Sequence, residues 1–415
     1  MAQQKPSLTS LESQLRDCLL KMQDVATGGW GEHPGGRLSA LNTAEVVIAL
    51  SAAGIAPGDS NIQNAVRFLL KEWVAMDPPD YGAWPRKAGH GTNTRLVPDV
   101  IRTSVIVSAL ILAGKGVNDP NVLPSIEWLV SRQNKAVNDS GWAYQGNQKS
   151  QILPSCFALL TVMRTSASAE TNHWRSPVEN GLKHINDRFR NGNGSFGTGT
   201  LTAAHTIFVC LVLQSARSCG FNINPTAEQR AIEWLLNNQD DALSPVEETV
   251  AIDPYPNGEA NYAFTFSMEA LLLRVLSYSS VASHRQTDLW LKIQRFLYGN
   301  FDEMTGGLYG RRVFSWSTAV GLHAIKLSEQ YLAPIPPSPG EDPSGLKIGN
   351  AILLVVFVLV AAVVYLSKSG VFSALQASVF GLLVLASLLA YGKIGEKTFG
   401  QLVAGLLGPK KESQN

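Results

Sequence analysis

Three carboxylates lie in apolar stretches of the sequence that are typical of buried helices. Asp99 stands near the start of "VPDVIRTSVIVSAL", Glu45 lies in "NTAEVVIALSAAG", and Glu269 lies in "FTFSMEALLLRVL". A carboxyl group in apolar surroundings can hold a proton near neutral pH and act as a general acid or base, so these three are the candidate catalytic residues. The alternative for Glu45 and Glu269 is a polar residue on a helix face. For Asp99 the sequence favours a helix N-cap or a partner of Arg102.

A second set of residues carries positive charge and stands in loops ahead of such apolar stretches. Its members are His33, Arg37, Arg86, Lys87, His90, Arg95, Arg311 and Arg312, with Arg102 one turn inside a helix. Basic side chains and helix N-termini together bind phosphate and diphosphate groups. We predict an anion-binding site where these loops meet. The alternative is a set of surface charges that pair with neighbouring Asp and Glu residues.

Aromatic residues accompany the basic set. Tyr262, Phe264, Phe266 and Trp316 stand at or near the start of predicted helices, and Tyr255 lies in the loop "IDPYPNGEANY". Core packing explains each of them singly, whereas together they would line an apolar chamber behind a positively charged mouth. We assign Tyr262 and Trp316 to the candidate ligand-binding residues.

Composition argues against several classes of function. The 34 basic and 33 acidic residues nearly balance and form no basic run, so we expect no nucleic-acid partner. Cys18, Cys156, Cys210 and Cys219 make no CxxC pair and lie in or beside apolar stretches, where cysteine behaves as a small apolar residue. We therefore expect no disulfide framework, no metal site and no cofactor.

An internal repeat of about 55 residues occupies residues 1–331 and determines where these side chains lie. Each unit has an amphipathic helix that ends in a motif such as "FLLKEW" or "WLVSRQ". Most units then have a glycine–aromatic turn such as "GGWGEHP" or "SGWAYQG", of which the fifth unit lacks a clear copy. A second helix, apolar on nearly every face, must be buried on both sides. Six such pairs predict two concentric, closed rings of six helices, with the basic loops at one end.

The repeat "WLVSRQ...SGW" resembles the QW-type repeat of the squalene cyclase and protein prenyltransferase β-subunit superfamily. The resemblance covers nearly all of residues 1–331. It implies an all-α fold, the (α/α)6 toroid of six helix-pair repeats, with an apolar pocket for an isoprenoid chain at the N-termini of the inner helices. The segment "GGLYGRRVFSW" also resembles the basic loop that holds the diphosphate in prenyltransferase β-subunits.

The chain departs from both reactions of that superfamily. The cyclases have an Asp-x-Asp-Asp motif at the head of an inner helix; here Asp99 holds the first place, but Ile101 and Arg102 replace the other two carboxylates. The prenyltransferases bind zinc through an Asp-x-Cys pair and a later His. No Asp-x-Cys occurs here, and His205 and His323 are more typical of core histidines. The reaction is therefore left unassigned.

Two apolar stretches, 348–366 and 371–391, follow the repeats, and each is about long enough to cross a bilayer core of ~30 Å. Lysines are concentrated at their outer ends, which predicts a hairpin with the head and both termini in the cytoplasm. The predicted domains are an (α/α)6 head (1–331), a Pro-rich linker (332–346), a transmembrane hairpin (347–392) and a cytoplasmic tail with a short amphipathic segment (393–415).

Two functions fit this organisation. The first is a membrane-tethered terpene cyclase-like or prenyltransferase-like protein that binds an isoprenoid lipid, phosphorylated at its polar end. The second is a non-enzymatic sensor head whose hairpin disrupts the membrane, for example as an antiphage defence effector. The expected partners are the lipid and the membrane, with a protein partner or a second copy of the chain as further options.

Overall fold

Two rings of helices build the head of the protein. The computed structural model describes residues 8–88, 95–136, 138–144, 148–166, 174–197, 199–243, 246–255, 258–266, 268–278, 289, 292–293, 296–297, 299–302, 304–308 and 315–332. The predicted spans at 348–366 and 371–391, the linker and the tail lie outside the described residues. The head itself forms a compact unit that ends at Leu332.

The inner ring contains the helices that are apolar on nearly every face. They are α2 (Ala40–Ala52), α4 (Val100–Leu112), α6 (Ile152–Ser166), α8 (Thr202–Ser218), α11 (Met268–Tyr278) and α12 (Ser315–Leu332). Each of them packs against the next, and α12 packs back against α2. This last contact closes the ring, as the six repeats predict.

The outer ring consists of amphipathic helices, each covering an inner helix. They are α1 (Leu8–Met22), α3 (Ser60–Glu72), α5 (Leu123–Ser131), α7 (Arg175–Phe189) and α9 (Pro225–Asn237), followed by the short α10 (Gln239–Leu243). In the sixth unit Leu289, Ile293 and Leu297 are buried at helical spacing. The fold is an all-α (α/α)6 toroid.

Helix α3 shows how the sequence determines which face of an outer helix is buried and where the helix begins. Its buried residues Ile62, Ala65, Val66, Phe68 and Leu69 form one stripe at helical spacing. The side chain of Asp59 caps the helix by accepting a hydrogen bond from the backbone N–H of residue 61 at 2.8 Å. The opposite face stays in solvent.

A backbone hydrogen bond recurs where the glycine–aromatic turn meets an inner helix. The backbone N–H of the turn's aromatic residue or leucine donates to a hydroxyl near the start of that helix, at 2.9–3.1 Å. The pairs are Trp30–Thr43, Trp84–Thr103, Trp142–Ser155, Phe196–Thr206 and Leu308–Thr318. Since these groups are buried, each bond satisfies a donor that water cannot reach. In each of these five units, the hydrogen bond fixes the glycine–aromatic turn to the inner helix that follows it.

The fifth unit is built differently from our expectation. The stretch "FTFSMEALLLRVL" was predicted as one helix, but strand β4 extends to Phe266 and α11 begins at Met268. The antiparallel strands β3 (Val246–Tyr255) and β4 (Gly258–Phe266) form a hairpin ahead of the helix. Aromatic residues and Thr in "NYAFTF" favour strand, and a long partner strand satisfies their backbone. Tyr255, Tyr262, Phe264 and Phe266 therefore lie in this hairpin.

Two shorter hairpins occur in other units. Strand β1 (Arg86–Ala88) pairs with β2 (Arg95–Val97) ahead of α4, and β5 (Phe301–Asp302) pairs with β6 (Gly307–Leu308). These hairpins occupy the loops between outer and inner helices. The β1–β2 hairpin is the one that contributes to the candidate site.

One helical segment of the described residues, Gly199–Ser218, is long and apolar enough to cross a membrane. It contains α8, an inner-ring helix, and 72% of its most apolar window is buried inside the head. Burial between neighbouring helices accounts for that apolarity.

Candidate functional site

A cavity of about 1000 Å³ lies between the first and second repeat units. Its walls are the loop after α1, the C-terminal half of α3, the β1–β2 hairpin and the first turns of α2 and α4. The residues that line it are Val25, Ala26, Thr27, Gly28, Glu32, His33, Arg37, Leu38, Ser39, Ala40, Asn64, Arg67, Phe68, Lys71, Glu72, Val74, Pro85, Arg86, Leu96 and Arg102. We refer to it as the rim cavity.

Four of the predicted binding residues, His33, Arg37, Arg86 and Arg102, line the rim cavity together. The bridge between Gly31 and Leu38 folds the loop that carries the first two. Arg86 opens strand β1, and Arg102 lies in the first turn of α4. Residues that are up to 69 positions apart thus reach one cavity because successive inner helices are neighbours in the ring.

Two further basic residues of the cavity, Arg67 and Lys71, were missed from the sequence. They lie four residues apart on the outer face of α3, so both side chains point to the same side of the helix. Arg67 also donates a hydrogen bond to the side chain of Asn64. The signal was the i, i+4 spacing near the end of an outer helix, which lies at the same end of the ring as the basic loops.

The charges that line the rim cavity are mostly positive. Among the described lining residues, Arg37, Arg67, Lys71, Arg86 and Arg102 outnumber the carboxylates Glu32 and Glu72, and Asp99 beside the cavity pairs with Arg86. Such an excess in a concave site raises the local concentration of anions.

The start of α2 adds to this field. Ser39 and Ala40 line the cavity, and Ser39 is the N-cap of α2, yet its side chain makes no capping hydrogen bond. The N–H groups of the first turn carry partial positive charge and can bind an anion. The rim cavity is therefore suited to a phosphate, a diphosphate or a carboxylate.

Asp99 serves the structure of α4. Its carboxylate accepts a hydrogen bond from the backbone N–H of Arg102 at 2.9 Å, which confirms the predicted N-cap. Its second oxygen lies 3.7 Å from the guanidinium of Arg86. The expected side-chain partner was Arg102; the observed one is Arg86, because the β1–β2 hairpin brings that residue beside the helix start. With both oxygens engaged, Asp99 holds α4 and Arg86 in place.

The other two candidate carboxylates lie elsewhere on the inner ring. Glu45 is half-buried in α2, and Glu269 is buried in the first turn of α11. Burial raises the pKa of the Glu269 carboxyl to about 7. Glu269 can therefore carry a proton near neutral pH, and it belongs to the fifth unit, away from the rim cavity of the first two.

The remaining predicted residues are placed only in part. Lys87 lies opposite Leu96 and Arg95 opposite Ala88 in the β1–β2 hairpin. Tyr262 lies opposite Val250 in the long hairpin, and Trp316 belongs to the first turn of α12. Side-chain positions of these four, and all of His90, Arg311 and Arg312, lie outside the described residues.

The histidines and cysteines of the inner ring do not gather into a metal site. Within the described ranges, no three His, Cys, Asp or Glu side chains form a group that could hold a metal ion. Cys156 and Cys210 are buried thiols, and burial raises the pKa of Cys210. His205 is also buried. Desolvation, with Arg274 and Arg164 nearby, holds the pKa of His323 well below its usual value, so its ring is neutral.

Solved structures share this architecture at low sequence identity. The type II terpene cyclase MstE from Scytonema, without ligand, is 14% identical with a TM-score of 0.53, over 78% of this chain and 99% of that one. The α-1,6-mannanase GH76A from Salegentibacter sp. HEL1_6 is 10% identical with a TM-score of 0.52, over 78% and 99%. A sugar epimerase from a ruminal bacterium is 11% identical with a TM-score of 0.51, over 78% and 98%.

These likenesses establish the fold. The chain is an (α/α)6 toroid. No protein-family model matches it, and no curated protein sequence does. Because the toroid carries cyclases, a mannanase and an epimerase, the function has to be argued from the rim cavity itself.

Proposed function

We propose that the toroid is a membrane-tethered head that binds an isoprenoid lipid by its phosphate or diphosphate end in the rim cavity. The single observation that carries the proposal is the meeting of five basic side chains in one cavity at the starts of α2 and α4. The tether is the predicted hairpin at 348–366 and 371–391, which would place the head beside a lipid-borne ligand.

The cavity also has the apolar surface that such a lipid requires. Val25, Leu38, Phe68, Val74 and Leu96 contribute to its walls. An amphiphile with a compact anionic end matches this division better than a sugar, whose hydroxyl groups need hydrogen-bonding partners along their whole length.

A neighbour in fold supports the ligand class. A variant of the cyclase MstE, 15% identical with a TM-score of 0.53, has been solved with its substrate geranylgeranyl dihydroxybenzoate. That molecule combines an isoprenoid chain with a polar, acidic end. The same combination is what the rim cavity would bind in this chain.

Binding, rather than acid-initiated cyclisation, is the activity proposed for the rim cavity. Asp99, the carboxylate that the sequence placed in the first position of the cyclase motif, is engaged as the N-cap of α4 and by Arg86. Ile101, in the place of the cyclases' proton donor, has no group to ionise. Any reaction would use the basic residues to stabilise negative charge on a departing diphosphate.

The test compares charge-reversed variants of the full-length protein in mild detergent. Calorimetry measures the affinities for inorganic diphosphate and farnesyl diphosphate in the wild type, in Arg67→Glu/Lys71→Glu, and in the control Lys183→Glu. Lys183 is exposed on the outer helix α7, so its reversal changes the net charge without touching the cavity.

The double reversal should weaken both ligands by about tenfold or more, and added salt should weaken wild-type binding, because the attraction is electrostatic. The control should bind as the wild type does. A wild-type protein that binds neither ligand, or a double variant that binds both normally, would overturn the proposal.

A further inference from the structure

We infer that the chain of the bound lipid leaves the rim cavity across Val25 and Val74, outside the ring of inner helices, and does not enter the centre of the toroid. The inference rests on the proposed function, since it concerns the apolar part of the same ligand. It states the path of the lipid chain, and it implies that the part of the chain beyond the cavity does not affect binding.

Two exposed valines mark the outer edge of the cavity. Val25 is 95% exposed and Val74 is 37% exposed, and both line the cavity. They belong to different units: Val25 follows the end of α1 and Val74 follows the end of α3. An isolated exposed valine needs no explanation, but two that flank one cavity form an apolar edge that a lipid chain can cover.

The inner boundary of the cavity argues against the alternative path, in which the lipid chain enters the centre of the toroid. Of the described residues of the inner helices, Ala40 is the one that lines the cavity from α2 and Arg102 the one from α4. One turn deeper, Ala44 and Ile106 are fully buried. The described lining of the cavity thus ends at the first turn of each of these two inner helices, and the next residue on the same face of each helix is closely packed.

The positions of the basic residues agree with a ligand whose chain points toward Val25 and Val74. The first turns of α2 and α4 contribute Ala40 and Arg102 to the cavity, and Arg86 and Arg102 are less exposed than Val25 and Val74. The anionic end of the ligand fits beside these two arginines, which directs its chain toward Val25 and Val74. Because the chain emerges into solvent or into a lipid phase, its length beyond the cavity makes no contact with the head.

Two probes of chain position test the inference on the full-length protein. The first compares farnesyl diphosphate with inorganic diphosphate in Val25→Ser/Val74→Ser. The control is Met304→Ser, which changes a residue that is also 95% exposed but belongs to the sixth unit. The double variant should bind farnesyl diphosphate about tenfold more weakly and inorganic diphosphate normally, while the control should bind both normally.

The second probe is farnesyl diphosphate with a fluorophore on the far end of its chain. It should bind with the affinity of the unlabelled compound, because that end lies outside the cavity. Loss of labelled-ligand binding, or a valine variant that binds farnesyl diphosphate as tightly as the wild type, would overturn the inference while leaving the anion site intact. Failure of the wild type to bind inorganic diphosphate would instead remove the proposed function, and the inference with it.

Discussion

The guanidinium of Arg86 lies 3.7 Å from the carboxylate of Asp99, and the two residues belong to different elements, strand β1 and the cap of α4. From the sequence, Arg86 was a candidate anion-binding residue and Asp99 a candidate catalytic residue. Their contact gives Asp99 a positioning role: it fixes the start of α4 and holds Arg86 at the wall of the rim cavity.

Replacement of Asp99 tests how much its cap of α4 contributes to stability, apart from its ion pair with Arg86. Asp99→Ala should lower the free energy of unfolding by about 1 kcal/mol, because the N–H of Arg102 loses its acceptor. Asp99→Asn keeps an acceptor oxygen and should stay within a few tenths of a kcal/mol of the wild type. Urea denaturation followed by circular dichroism measures both. Equal losses in the two variants would mean that the ion pair with Arg86 matters more than the cap.

The hydroxyl of Thr103 offers a second test, this time of the repeated turn. Thr103→Val keeps the shape of the side chain but leaves the buried N–H of Trp84 without its acceptor, at a cost of about 1–3 kcal/mol. Thr103→Ser keeps the hydroxyl acceptor and loses only one methyl group, so it should lower the free energy of unfolding by less. Thermal and urea unfolding of the two variants provide the comparison. A valine variant more stable than the serine variant would contradict the role given to this bond.

Close packing at Gly82 predicts a large effect of a single methyl group. A Cβ at this position would overlap the carbonyl oxygen of Pro124, and the backbone has φ of +95°. Gly54 has a similar φ of +87°, but nothing lies within 4 Å of its would-be Cβ. Gly54→Ala should therefore cost about 1–2 kcal/mol through backbone strain alone. Gly82→Ala should cost clearly more, as measured by denaturant midpoints; equal costs would show that the turn moves freely away from α5.

The buried carboxyl of Glu269 predicts a pH dependence of stability. Its folded-state pKa, about 7, lies above the ordinary value of 4.5, so the folded protein keeps a proton that the unfolded chain loses. The stabilising contribution is complete below about pH 4.5 and is lost as the pH rises to about 7. Relative to Glu269→Gln, which does not titrate, the wild type should lose about 3 kcal/mol of unfolding free energy between pH 4 and pH 8.

Urea titrations of both proteins across that pH range measure the difference. Glu233→Gln, which changes an exposed glutamate on α9, is the matched control and should follow the wild type. Parallel curves for the wild type and Glu269→Gln would show that the carboxyl reaches solvent or a partner when it ionises.

The rings of the head were predictable because their signals are local. Apolar residues on every face of α4 and on one stripe of α3 follow from helical geometry, and the glycine–aromatic turns mark where each pair of helices meets. The same signals failed in the fifth unit. There the apolar residues of "FTF" before Met268 suit a helix as well as a strand, and their pairing with β3, the other strand of the hairpin, decides that they belong to β4.

The sequence by itself therefore determined the closed toroid, and it predicted that the basic loops lie at one end of the ring. Four of the residues in that prediction are His33, Arg37, Arg86 and Arg102. The tertiary structure alone decided that these four share a cavity with Arg67 and Lys71, and that Asp99 pairs with Arg86. The physical reason is distance: periodicity reports which face of a helix is buried, whereas a cavity or an ion pair depends on which elements become neighbours when the ring closes.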